Sequence, residues 1–201
     1  MPRKQSVRSL VELGIGNLGT QPSLNAWADF FTDADIYGVD DGKYSRKRYK
    51  PPSRANIHVV LADMDGEEIL SRPGSRGLPE RDIDVLIDDA SHKVTQQIRN
   101  LEAWFPRVRD GGLYIIEDLF VYDHEHSLGM KLDAADIVPN TNRCIEGHGC
   151  FMPQRPAEHP LLDVNKMPPS VRGIVAQRHW FWTITAVNPD GGLHCMMAIV
   201  K

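Results

Sequence analysis

Ile83-Asp84-Val85-Leu86-Ile87-Asp88-Asp89-Ala90-Ser91-His92 decides how this chain is read. Its apolar, β-branched run reads as a buried strand, and it stops abruptly at two carboxylates, a small residue, a hydroxyl and an imidazole. A strand that ends this way marks the carboxyl edge of a sheet, where open α/β sheets place their ligands. Leu113-Tyr114-Ile115-Ile116 ends similarly, in Glu117-Asp118. Two strand ends that each carry paired acids predict a site for a hard cation, because carboxylate oxygens are the donors such ions take.

The same pattern recurs on the N-terminal side. Val7 to Leu13 reads as a first strand, running into Glu12-Leu13-Gly14-Ile15-Gly16-Asn17-Leu18-Gly19. Glycines there let the backbone turn sharply and approach a ligand. G-x-G-x-x-G alone is shared with dinucleotide enzymes, but this turn continues through Thr20-Gln21-Pro22 before Ser23 can cap a helix. That helix is expected over Leu24 to Phe31, with Leu24, Trp27, Ala28 and Phe31 on one face. A second strand, Asp35 to Asp40, closes on Asp40 and Asp41, and a carboxylate at this place suits a ribose diol. A third, Ile57 to Leu61, leads to Asp63.

Helical spacing of Val94, Ile98, Leu101 and Phe105 predicts an amphipathic helix over Lys93 to Phe105, after which Asp110-Gly111-Gly112 turns the chain into the fifth strand. Trp180 to Val187 and Leu193 to Val200, joined by Asn188 to Gly192, read as an antiparallel hairpin. The fold class is therefore α/β: a Rossmann-like, doubly wound, mainly parallel sheet with a C-terminal antiparallel hairpin.

With 201 residues the chain is expected to form a single domain, and its 41% hydrophobic and 25% charged residues are ordinary for a globular protein. A net charge of −4 argues against a dedicated nucleic-acid binder. The basic loop Lys43 to Pro52 is read as a solvated excursion in preference to a phosphate contact. Three cysteines make no disulfide framework, no apolar run spans a bilayer, and Met1 to Gln5 lacks the core of a signal peptide, so the expected location is cytoplasmic. The segment from about 121 to 169 is irregular and holds His124, His126, His148 and His159, which predicts a lid or substrate loop. Cys144, His148 and Cys150 match no standard zinc spacing. Trp180-Phe181-Trp182 is read as core and interface, pointing to a homo-oligomer.

Taken together, Glu12-x-Gly14-x-Gly16, Asp40, Asp63 and Asp88-Asp89 resemble a class I S-adenosylmethionine-dependent methyltransferase. More narrowly, Ile87 to His92 followed by Gly111 to Asp118, with Ser23-Leu24-x-x-Trp27, resembles the metal-dependent sugar O-methyltransferases of macrolide biosynthesis and their cephalosporin-hydroxylase-like relatives. The resemblance covers about Val11 to Leu119. It departs at Ala90, where that branch usually has glycine, in the near absence of the N-terminal region its macrolide members carry, and over Val121 to Pro169.

The resemblance implies S-adenosylmethionine bound by Glu12, Gly14, Gly16, Ser23, Asp40, Asp63 and Asp88, and Mg²⁺ held by Asp89, Glu117 and Asp118. It implies His92 as general base on a hydroxyl of a sugar-bearing or polyhydroxylated small molecule, as in natural-product biosynthesis. Three other readings compete. Asp88, Asp89 and Ser91 could simply cap the following helix. The glycine turn permits an NAD-dependent oxidoreductase, although the chain has no Tyr-x-x-x-Lys pair and no second domain for a hydride acceptor. The third is a non-catalytic binding relative of the fold.

Overall fold

All six residues of β4 (Ile83–Asp88) are buried, as a strand covered on both faces requires. In this computed structural model it lies at the middle of a seven-stranded sheet with β1 (Ser9–Leu13), β2 (Asp35–Asp40), β3 (Ile57–Leu61), β5 (Val108–Ile116), β8 (Trp180–Val187) and β9 (Leu193–Val200). The structure describes residues 4–43, 46–64, 66–119, 137–139, 151–153, 161, 165, 167–176, 180–187 and 193–201. The spatial order is β3-β2-β1-β4-β5-β9-β8. β1 to β5 run parallel, and β9 pairs antiparallel with both β5 and β8. A plain dinucleotide fold ends its sheet in a further strand beside the fifth. Here the last strand of the chain enters beside β5 and leaves β8 at the rim, so the expected α/β class with its terminal hairpin is the observed one.

Strand alternation splits the core into two layers. Leu24 and Ala28 of α1 (Pro22–Phe30) pack with Leu10, Ile36, Val85 and Ile87 on one face. On the other face, Ile69 of α2 (Glu67–Ser71), Ile98, Leu101 and Trp104 of α3 (Val94–Trp104) and Val171 of α4 (Pro169–Ala176) pack with Val11, Leu86, Tyr114 and Ile116.

Two boundaries depart from expectation. Ser23 does not cap α1: the helix begins at Pro22, whose missing N–H costs nothing in the first turn, and Gln21 precedes it at φ 48°. The Gln21 side chain donates to the Leu18 and Lys50 carbonyls, which fixes the entry to the helix. The fifth strand starts at Val108, before the Asp110-Gly111-Gly112 turn, because its register with β4 shifts between Ile83 and Val85. A Cβ on Gly112 would lie 2.6 Å from Val108 Cγ1, so the irregularity needs glycine there.

At the opposite edge of the sheet, Asp84 ties three strands together. Its carboxylate accepts the Arg8 and Ser9 backbone N–H groups at 2.7 and 3.0 Å and pairs with the Arg109 guanidinium. Asp84→Ala strands all three donors, and the expected cost is about 3 kcal/mol, read as a lower urea midpoint with unchanged slope.

The lid expectation and the residues His124, His126, Cys144, His148 and Cys150 lie outside the described residues, which hold there a small antiparallel pair, β6 (Ile137–Pro139) with β7 (Phe151–Pro153). Among the described residues no helix is long and apolar enough to cross a membrane.

Candidate active site and metal-ligand cluster

A cleft of about 640 Å³ opens at the carboxyl ends of the parallel strands, within the size range of small-molecule sites. Gly14, Gly16, Asp40, Asp63, Asp89 and His92 line it, so six of the residues singled out from the sequence share one wall system. Gly14 has φ +87°, and a Cβ there would stand 2.2 Å from the Asp89 carbonyl oxygen. The first glycine therefore serves close approach of the β1 turn to the β4 turn. Gly14→Ala is expected to cost at least ~2 kcal/mol through strain and collision and to weaken ligand binding in the cleft, measured by thermal melting and titration.

Asp40 braces that turn. One carboxylate oxygen accepts the Ile15 and Gly16 N–H groups, both at 3.0 Å, and the other accepts Gly42 N–H at 2.7 Å.

At the other end of the cleft Asp89, His92 and Asp118 bring one ligand atom each within 4.8 Å of one another. His92 Nε2 stands 3.9 Å from Asp89 Oδ1 and 3.9 Å from Asp118 Oδ2. His92 and Asp118 both sit in the left-handed region, at φ 56° and 51°. Side chains other than glycine rarely adopt that conformation, and it concentrates at functional sites. Glu117 stands outside this three-residue group but acts on it: its charge, with those of Asp118, Glu12 and Asp88, adds to burial in pushing the Asp89 carboxyl up to about 8. Burial holds His92 below its ordinary value, opposed by Asp118. Acids that repel one another, beside an imidazole kept neutral by burial, form a donor set that could hold a cation.

Three residues expected to bind the cofactor, Glu12, Ser23 and Asp88, are not among those lining the cleft. Glu12 is buried beneath the glycine turn, where it accepts the Trp27 indole N–H at 2.8 Å. Burial pushes it up to about 7, against the Ser23 hydroxyl and the Trp27 donor. Ser23 thus stands beside Glu12 within α1. Asp88 is buried toward α3, pushed up to about 7 by burial and drawn down by Asn100, the Ala90 N–H and Tyr114. Asp41, Lys43, Met64, Ser91 and Gln96 also line the cleft and were not among the residues expected to bind cofactor or metal. Asp41 was visible as the neighbour of Asp40. Gln96, paired with the Ser91 hydroxyl, carries no sequence signal of its own.

Strand order, terminal hairpin and cleft together define a class I methyltransferase fold, and comparison with solved structures agrees. The MycE methyltransferase from the mycinamycin biosynthetic pathway, in complex with Mg and SAH, superimposes with a TM-score of 0.55 at 23% identity over 96% of this chain and 45% of that one. An O-methyltransferase from Bacillus cereus in complex with SAH gives 0.51 at 15% over 98% and 76%. A fibrillarin pre-rRNA processing protein from Methanococcus jannaschii gives 0.52 at 14%, over 100% and 69%, so the fold by itself does not choose a substrate.

Sequence similarity is narrower, and it bears out the resemblance read from the motifs. The chain is 35% identical over 122 residues to mycinamicin VI 2''-O-methyltransferase of Micromonospora griseorubida, covering 59% of this chain and 28% of the relative. It is 37% identical over 123 residues to demethylmacrocin O-methyltransferase of Streptomyces fradiae, covering 59% and 29%. The chain thus spans under a third of the length of the curated relatives it matches. No family model matches it.

Proposed function

We propose that this chain is a divalent-cation-dependent O-methyltransferase that uses S-adenosylmethionine and methylates a hydroxyl of a sugar-bearing or polyhydroxylated small molecule. The observation that carries this reading is the convergence of Asp89, His92 and Asp118 at the end of a cleft built from Gly14, Gly16, Asp40 and Asp63. Asp89 and Asp118 would hold the cation with Glu117 beside them, an oxygen-rich set suited to Mg²⁺. When bound, that ion supplies Lewis acidity toward an acceptor hydroxyl. The Gly14–Gly16 turn would give backbone approach to the methionine part of the cofactor, Asp40 with Asp41 would hold its ribose, and Asp63 its adenine amino group.

His92, kept neutral by burial, accepts the hydroxyl proton at Nε2 while the oxygen forms a bond to the methyl carbon. The carbon–sulfur bond breaks in the same step, leaving S-adenosylhomocysteine. Proton acceptor and cation ligands belong to one cluster, so a hydroxyl held there meets both. The similarity to mycinamicin VI 2''-O-methyltransferase and demethylmacrocin O-methyltransferase supports a hydroxyl group as the methyl acceptor.

Titration calorimetry with S-adenosylhomocysteine, and turnover across glycosylated acceptors with and without chelator, test the proposal. Expected are micromolar cofactor binding and turnover lost to chelator and restored by Mg²⁺. Absence of cofactor binding, or activity indifferent to chelator, overturns it.

Stability should carry the same signature. Glu12 and Asp88 at about 7 and Asp89 at about 8 hold protons in the folded state that the unfolded chain has already released. The folded state binds more protons throughout the range between those values and the ordinary carboxylate values near 4, so stability falls as pH rises from about 4 to 8. The melting temperature is expected to drop across that window, with Mg²⁺ restoring most at its upper end.

A further inference from the structure

We propose that Asp88 is a positioning residue, gripped by Asn100 of α3, that holds the turn carrying Asp89 and His92 in register with the cleft. This rests on the metal-site reading above. Asp88 is 1% exposed and Asn100 0%, so water competes with neither side chain. Asn100 Nδ2 donates to Asp88 Oδ1 at 3.2 Å and to Oδ2 at 3.1 Å. The same carboxylate accepts the Ala90 backbone N–H, which belongs to the peptide immediately after Asp89. A side chain anchored on a buried helix thus grips the backbone on the far side of a cation ligand.

The surrounding backbone converges on the same point. Asp89 N–H donates to Leu13 O and Glu117 N–H to Asp88 O, both at 2.9 Å. β1, β4, β5 and α3 are therefore joined at Asp88, between the segment that carries Asp89 and His92 and the one that carries Asp118. His92 enters the cluster through a left-handed backbone that persists only if its surroundings enforce it. For stability alone a buried carboxylate is a poor choice, since a well-packed apolar side chain avoids its desolvation cost. Its use here is orientation, in the way outer groups of a metal site orient the ligands.

The test is a reciprocal exchange read by Mn²⁺ binding (electron paramagnetic resonance), S-adenosylhomocysteine titration and thermal melting. Asn100→Asp sets two carboxylates face to face and is expected to weaken Mn²⁺ binding about tenfold or more. Cofactor affinity should stay within about twofold, because the cleft walls at Asp40 and Asp63, at the ends of β2 and β3, are untouched. In the double variant Asp88→Asn/Asn100→Asp, the amide introduced on β4 donates to the carboxylate introduced on α3. Its carbonyl still accepts from Ala90, so Mn²⁺ affinity should return. Asp88→Ala serves if the first variant fails to fold, and should show the same separation of Mn²⁺ from cofactor binding. Unchanged Mn²⁺ affinity, or parallel loss of Mn²⁺ and cofactor binding, overturns the positioning role. A wild-type chain that binds no Mn²⁺ overturns the metal reading beneath it.

Discussion

Asp89→Asn is expected to reduce methyl transfer about a hundredfold or more and to weaken Mn²⁺ binding in step, leaving S-adenosylhomocysteine binding intact. Asp89 lies in the three-residue convergence, and its carboxyl carries the accumulated repulsion of Glu117, Asp118, Glu12 and Asp88. An amide keeps the shape, removes the charge a cation would neutralise and relieves that repulsion. The substitution should therefore raise the melting temperature of the metal-free protein near pH 8 while abolishing the stabilisation Mg²⁺ adds. Opposite signs for stability and activity separate a ligand from a helix cap, whose loss lowers both. A variant that keeps turnover and Mn²⁺ affinity would remove Asp89 from the site.

His92→Asn is the second large effect. Loss of a general base lowers turnover by about 10²–10⁴-fold. Asparagine tolerates φ near +56°, so the turn should survive and the loss be assigned to the imidazole. The pH profile gives the sign. Burial holds the His92 pKa below its ordinary 6.5, and the neutral ring is the competent form. The acid limb of turnover should therefore fall below pH 6.5, and a cation bound beside the ring would shift it further down by disfavouring the imidazolium. In His92→Asn that limb should vanish. With Mg²⁺ saturating at every pH, so that Asp89 is held ionised, a limb above 6.5, or one that persists in the variant, would show that another group takes the proton.

The parallel strands were legible because each ends abruptly in acid after an apolar run, and the cleft follows from the same fact. The terminal hairpin was legible from two apolar runs around a Pro-Asp-Gly-Gly turn. Asp88 turns inward, away from the cleft, for a reason the sequence contains: at period two it shares a face with Leu86, which packs against α3, whereas Val85 and Ile87 face α1. What the sequence does not contain is the pairing with Asn100, further along the chain and waiting on that face. Glu12 took the same inward course once Trp27 proved to be its partner. Ser23 looked like a cap because serine usually is one. The glycine turn instead delivers the chain through a left-handed Gln21 directly into Pro22. The bulge in β5 could not be read either, since Asp-Gly-Gly signals a turn equally well between strands and within one.

The left-handed backbones at His92 and Asp118 bear on any effort to harden this protein. Glycine relaxes such a conformation, so codon-saturation mutagenesis followed by selection for heat resistance alone should enrich His92→Gly and Asp118→Gly among survivors. Those clones would express well, melt late and methylate nothing. A directed-evolution campaign would need an activity gate at every round, and the positions where thermal selection and activity selection disagree would themselves map the catalytic corner.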